Sequence, residues 1–427
     1  MRVRTSPYTS YVRPGICDIE STKLQTDSKF KTQHSKFNIP SKEMTILMIA
    51  PTPFFSDRGC HVRIEEEARM LQGLGHRVEI LTYGLGRDRP GLSIHRITRL
   101  PGYRKKAPGA SIYKFPQDLL LRWLTDRMVK ARRPDLIWAH LHEGAYVAEP
   151  VAKAYQIPLW MDRQGSLVEE LASHGTLKKE SQLSRWIYGK EQSLEEKVDR
   201  VLVNTDAALR QLSCRIGESV CKLPDTVDTD RFRPSPFPVD LAQELGLPHG
   251  IPIIVYLGLI APHQGTDLLI EAFAELRKTG RAAHLLVMGY PELEETRQRI
   301  RDRELERHAT VIGPIPYEQA HRYLALGNVA VSPKTSLTEG NGKLLNYMAM
   351  GLPTVAFNTP INHELLGDTG RLTTLGNVEE LAQGIVDFLD HEELRNQASE
   401  AARNRVVQQF GMPVIQQTIA ELLKSAT

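Results

Sequence analysis

The chain has 427 residues, 41% hydrophobic and 25% charged, which is ordinary for a globular protein and gives enough apolar material for two full cores. A net charge of +3 is too small to indicate a nucleic-acid partner, and no apolar run is long enough to cross a bilayer; the longest, Ile251–Pro262, reads as a buried strand. The four cysteines, Cys17, Cys60, Cys214 and Cys221, form no CxxC pair and have no histidines at metal-ligand spacing, so neither a zinc site nor a disulfide framework is expected, and a reducing, cytoplasmic setting fits.

Residues 1–43 are polar, aperiodic and rich in Ser, Thr and Lys; they read as a disordered extension that lacks the apolar core of a signal peptide, with Met44 as a second candidate start. Over 44–235, strands near Thr45–Ala50, Val78–Tyr83, Leu92–Ile97, Leu136–Ala139, Leu159–Met161, Arg200–Asn204 and Val220–Leu223 alternate with helices near Val62–Leu74, Gln117–Lys130, Leu183–Glu195 and Ala207–Ile216. The segment Arg231–Asp240, with three prolines, reads as an inter-domain linker. A second alternation fills 236–408, and 409–427 carries a last helix expected to pack back on the N-terminal domain. This pattern predicts an α/β fold of two Rossmann-like, doubly wound domains facing one another across a cleft.

Several strand ends carry polar groups. The first is followed by PTPFFSDRGCHVR, without the GxGxxG fingerprint, which argues against a nicotinamide dehydrogenase. Arg58 and Gly59 precede a helix there and suit a phosphate or sugar, or simply a turn. In HLHEGA, His140 and His142 are two apart, which in extended chain sets both imidazoles on one side; no third ligand is evident, so no metal is expected, and one histidine has the alternative of being a buried, hydrogen-bonded group. Asp162, Arg163 and Gln164 end another strand. The most informative stretch is Val331–Phe357: an apolar run, a loop with Glu339, Gly340, Asn341 and Gly342, a helix marked by Leu344, Leu345 and Met348, then Gly351 and Pro353. Unpaired N–H groups at that helix start and the charge of Lys343 would stabilise an anion, and Glu339, Asn341, Lys343 and Asn346 gather at one strand end, where open α/β sheets bind ligands.

This stretch resembles the donor-site signature of the GT-B fold, family 4 retaining glycosyltransferases, in which a Glu, a Gly-containing loop and a second Glu precede an EAMA-x-G-x-P-V-V type helix and strand. Glu339, Gly340, Gly342, Met348, Ala349, Gly351 and Pro353 match; Asn346 stands where the second Glu is expected, one residue early. LPDTVDTDRF, Leu223–Phe232, is similar to the family's P-N-G-V-D-x-x-x-F strand exit, with Asp225 and Thr226 replacing Asn and Gly. From Gly258 the chain is similar to G-R-x-x-x-x-K-G-x-D-x-L-I-x-A, but Leu259 and Gln264 replace the Arg and Lys that clasp the diphosphate. VIGPIP, Val311–Pro316, is similar to the loop that reads the nucleobase, near Gly313 and Ile315.

The resemblance implies a retaining glycosyltransferase that moves a sugar from a nucleotide diphosphate donor to a hydroxyl of a glycan, lipid-linked or small-molecule acceptor, with no cofactor beyond that co-substrate and no metal. It implies that Glu339 hydrogen-bonds sugar hydroxyls, His142 positions sugar and acceptor, Gly59 belongs to the loop over the donor sugar, and Asn346 takes the ribose contact. Lys343, with Lys334 and Arg58, would supply positive charge, and Asp162, Arg163 and Gln164 an acceptor-side wall. Two alternatives stay open at this point: a GT-B epimerase or phosphorylase, and a non-catalytic sugar-binding or assembly subunit, both favoured by the replacements at 259, 264 and 346.

The stretch from Arg104 to Arg133 holds Arg104, Lys105, Lys106, Lys114, Arg122, Arg127, Lys130, Arg132 and Arg133 against Asp118 and Asp126. Leu120, Trp123, Leu124 and Met128 share one face at helical spacing and are expected to cover the sheet; the excess of cations suggests peripheral contact with an anionic membrane at its inner face.

Overall fold

The computed structural model describes residues 42–103, 113–173, 177–178, 180–337 and 339–425. The expected disorder of 1–43 therefore falls, except for residues 42 and 43, outside the described residues, as do Arg104, Lys105 and Lys106. Strands β1 (Thr45–Ala50), β2 (Arg77–Thr82), β3 (Ser93–Arg96), β4 (Leu136–His140), β5 (Leu159–Arg163), β6 (Arg200–Val203) and β7 (Val220–Lys222) form one sheet in the order β3-β2-β1-β4-β5-β6-β7. A second sheet, in the order β10-β9-β8-β11-β12-β13, is built from β8 (Ile253–Ile260), β9 (His284–Pro291), β10 (Ala309–Ile312), β11 (Val329–Ser332), β12 (Thr354–Phe357) and β13 (Arg371–Thr373). The pairings are parallel throughout, as strands joined through crossover helices require.

Both faces of each sheet are buried, and side-chain alternation along the strands divides the cores. Leu47 and Ile49 of β1 point into a cluster with Leu121, Val147 and Leu194, whereas Ile46 and Met48 point into one with Ile64, Leu71 and Trp138. The second sheet divides likewise: Val255 packs with Leu344 and Met348, Ile254 with Leu269 and Phe273. The last helix, Met412–Lys424, inserts Ile415, Ile419 and Leu423 into the cluster of Ile46 and Met48, so the end of the chain is built into the N-terminal core. Each such aliphatic side chain contributes about 1.5–3 kcal/mol by burial.

Helix Lys114–Arg132 buries Gln117, Leu121, Thr125, Met128 and Val129. Trp123, expected on that buried face, is 59% exposed instead. Its Cα lies on the opposite side of the helix from Leu121 and Met128, and only Leu120 and Leu124 reach the core edge from there.

Candidate active site

The sheet orders reverse at β1/β4 in the first domain and at β8/β11 in the second, and in an open parallel sheet such a reversal leaves a crevice at the carboxyl ends of the strands. Here the two crevices face one cavity of about 390 Å3, lined by Arg58 and Gly59 after β1, His142 and Glu143 after β4, Gln264 after β8, and Lys334, Ser336, Glu339 and Lys343 after β11. Its rim is closed by contacts between the domains: the Tyr317 backbone N–H donates to Asp57 Oδ1 (2.9 Å), and Arg87 donates to both Asp57 (2.6 Å) and Glu318 (3.2 Å).

On the C-terminal side, Lys343 Nζ donates to Gln264 Oε1 (2.8 Å) and to the Tyr256 hydroxyl (3.2 Å), and it stands 4.6 Å from the centre of the Tyr256 ring. A Cβ on Gly258 would lie 3.0 Å from that ammonium, so glycine makes the room for it. Burial, then the charge of Lys334, pull the Lys343 ammonium well below the ordinary lysine pKa, with Glu339 opposing. Gln264, in the place of a family lysine, thus holds one cation without adding the repulsion of a second. Lys334 is buried, ion-pairs with Glu339 Oε2 (2.7 Å) and donates to the Gly340 carbonyl (2.7 Å). These bonds draw the loop across the cleft, where a Cβ on Gly340 would come within 2.8 Å of Asn204 Nδ2 and 3.1 Å of Asp225 Oδ2 of the other domain.

Asn341 lines the cavity, but its amide donates to Ser332 Oγ (2.9 Å) and Asn362 Oδ1 (2.7 Å), which makes it an anchor of the loop. Gly342 and Asn346 also line the cavity, with Asn346 one helical turn beyond Lys343 in the short helix Lys343–Ala349. Pro314 and Ile315 form part of the wall, whereas Gly313 does not. Around the site of a Cβ on Gly59 nothing lies within 4 Å, leaving open space for a ligand.

The N-terminal side corrects two expectations. The two histidines do not share one side of an extended chain: β4 ends at His140, Leu141 takes φ +62° and opens the helix Leu141–Tyr155, and His142 lies in the first turn of that helix. His140 is buried with Nδ1 3.0 Å from Asp162 Oδ2, while His142 lines the cavity with Nε2 3.2 Å from Glu195 Oε1 and Nδ1 3.7 Å from Glu191 Oε1. Asp162 and Arg163 are not a cavity wall either. Asp162 points into the interior, where Arg63 grips it through Nε (3.0 Å) and Nη2 (2.7 Å), and Arg163 donates to Glu195 Oε1 (2.7 Å); only Gln164 reaches the cavity.

Arg63 was not singled out in the sequence, yet it organises this side. It also ion-pairs with Glu67 (2.9 Å), four residues on in its own helix Gly59–Gly73, and with Asp225 (2.8 Å), tying that helix to the ends of β5 and β7. Burial alone would raise the Asp162 carboxyl, but Arg63 and His140 outweigh it and hold Asp162 far below the usual carboxylate range. Glu67, His140 and Asp162 bring potential ligand atoms within 4.8 Å of one another, but the guanidinium of Arg63 already supplies the positive charge that this group needs. Glu66, also missed, lines the cavity and accepts from the Tyr317 hydroxyl (3.2 Å). Burial, reinforced by Asp225 and other acids, pushes its carboxyl well above the usual range against the effect of Tyr317.

Two doubly wound domains that close polar strand ends over one cavity define a ligand-binding enzyme cleft. Residues 58–220 match the glycosyl transferase 4-like domain and residues 240–405 match glycosyl transferases group 1. The chain belongs to the GT-B glycosyltransferases of the family 4 type. It is 27% identical over 379 residues to the 2-deoxystreptamine glucosyltransferase of Streptomyces kanamyceticus, a match that spans 82% of this chain and 95% of that enzyme. It is 28% identical over 212 residues to a GDP-mannose-dependent alpha-(1-6)-phosphatidylinositol monomannoside mannosyltransferase of Mycobacterium tuberculosis, covering 47% of this chain and 55% of that enzyme. Among solved structures, the sucrose-phosphate synthase of Thermosynechococcus elongatus superposes with a TM-score of 0.76 at 17% identity, over 90% of this chain and 99% of that one. Anabaena HepE, in complex with UDP and glucose, does so with a TM-score of 0.72 at 20% identity, over 90% and 100%.

Proposed function

We propose that this enzyme transfers a hexosyl residue from a nucleotide diphosphate sugar to an acceptor hydroxyl, with retention of anomeric configuration. The observation that carries the reading is Lys343: its ammonium is placed in the cleft against neutral oxygens and an aromatic ring, where burial and the neighbouring Lys334 hold its pKa well below the ordinary lysine range. An anion bound there would supply counter-charge. Breaking a glycosyl–phosphate bond puts positive charge on the sugar and negative charge on the leaving phosphate, so a preplaced cation at the phosphate stabilises the transition state more than the ground state. Lys343 takes that role.

Glu339, fixed by Lys334, is placed to accept from sugar hydroxyls. Asn346, whose amide both donates and accepts, replaces a carboxylate at the ribose. His142, with both ring nitrogens directed at buried glutamates, acts as a positioning wall rather than as a general base, and the leaving phosphate takes the acceptor's proton. The UDP and glucose bound by HepE, and the glucosyl and mannosyl transfers named for the relatives, support a nucleotide sugar as donor. Such donors are cytoplasmic metabolites, which fits the cysteine usage. A thermal-shift panel of UDP-, GDP-, ADP- and dTDP-sugars tests the reading. A ligand at about a hundred times its Kd adds about 2.7 kcal/mol of stability, so one nucleotide class should raise Tm clearly. A panel with no response sinks the proposal.

A further inference from the structure

We infer that the outer face of the helical layer formed by Lys114–Arg132 and Gln182–Glu195 docks on an anionic lipid bilayer. On the first helix Phe115, Leu119 and Trp123 are 74%, 50% and 59% exposed, and their spacing of four residues makes them one stripe. The stripe runs into exposed Arg122, Arg127 and Lys130, with Arg133 at the helix end, opposed on that face by Asp126, which Lys130 already pairs at 2.7 Å, whereas Arg132 turns back to Glu79 of β2 at 3.6 Å. The second helix repeats the arrangement with Leu183 (55% exposed), Trp186 (62%) and exposed Lys190.

Each exposed tryptophan has a cation beside its ring: Arg127 stands 5.6 Å from the centre of Trp123, and Lys190 stands 5.6 Å from that of Trp186. Both helices flank Leu141–Tyr155 and share one apolar cluster with it, so the two patches lie on the outside of a single layer. The other two tryptophans, Trp138 and Trp160, are buried in the core. An aromatic ring next to a cation matches the boundary between acyl chains and headgroups. A second copy of this chain is a worse occupant, because symmetric pairing would set the same cations against one another. No helix among the described residues is long and apolar enough to cross a membrane, so the contact is peripheral. Lys114, next to Phe115, lines the cleft, so docking sets the cleft mouth at the bilayer. That last point alone rests on the transfer reading; the docking does not.

The test uses the full chain with vesicles of phosphatidylcholine alone or mixed with phosphatidylglycerol, read by co-sedimentation and tryptophan fluorescence. Binding should need phosphatidylglycerol, vanish at high salt, and shift the emission to the blue. Arg127→Gln should lower the partition coefficient about fivefold, and Trp123→Ser or Trp186→Ser about tenfold. The double variant Trp123→Phe and Trp186→Phe should bind yet show no shift, since the remaining tryptophans are in the core. Absence of binding to anionic vesicles at low salt, equal binding to neutral ones, or a vesicle-free dimer that Trp123→Ser dissolves would each overturn the inference.

Discussion

Replacing Lys343 by Met separates its charge from its packing, because the linear side chain keeps the apolar stem and loses only the ammonium. Two unit charges about 4 Å apart at an effective dielectric of about 20 interact by about 4 kcal/mol, so the variant should lose roughly a thousandfold in kcat. Without ligand the folded protein should be barely affected. A lysine whose folded pKa is lowered is penalised when protonated; that penalty is present below the folded pKa and disappears as pH rises through it toward the unfolded value, so at neutral pH the charge is a cost. Its removal offsets the roughly 1 kcal/mol lost when Gln264 Oε1 forfeits a donor. Initial rates and thermal melts, each with and without nucleotide sugar, measure both effects. Turnover within tenfold of the parent, with an intact nucleotide-dependent rise in Tm, would refute the assignment of Lys343 to the phosphate.

Three further outcomes follow from the same geometry. Because burial and Lys334 depress the Lys343 pKa, kcat/KM should fall on the alkaline side below the ordinary lysine range, and Lys343→Arg, protonated throughout, should abolish that limb of the pH–rate profile. Gln264→Lys should lower the Tm of the ligand-free protein by setting two ammonium groups together, while enlarging the rise in Tm on adding nucleotide; an unchanged rise would place the phosphate elsewhere. Gly265 has φ +71°, and a Cβ there would overlap the carbonyl oxygen of Pro333, so Gly265→Ala should cost about 2–4 kcal/mol, read as a lower urea midpoint.

The fold was legible because both sheets are parallel and buried on both faces, which writes each strand as a short apolar run between amphipathic helices. The helix Leu141–Tyr155 was not legible: Gly144 and Pro150 break its pattern, and the glycine is there because a Cβ would come within 3.0 Å of the Ile49 carbonyl oxygen. The loop of Glu339 and the ammonium of Lys343 could be found because they are contiguous in sequence. The partners that decide what each group does are not: Gln264 lies 79 residues from Lys343, Glu195 lies 53 from His142, and Asp162 lies 99 from Arg63. Trp123 shows the limit of reading a helical face by spacing, since the apolar stripe of its helix is wider than the surface that the sheet covers.

The most direct measurement is the anomeric configuration of the first product, followed by proton NMR within the opening minutes of reaction with an α-linked donor. The nucleotide sugar is the one chosen by thermal shift, with water standing in for the acceptor if none is known. Retaining transfer predicts that the newly released or transferred sugar appears first with an α-anomeric proton signal, before mutarotation equilibrates it. A β-configured first product, or a donor that binds in the cleft and is never cleaved, would contradict the account.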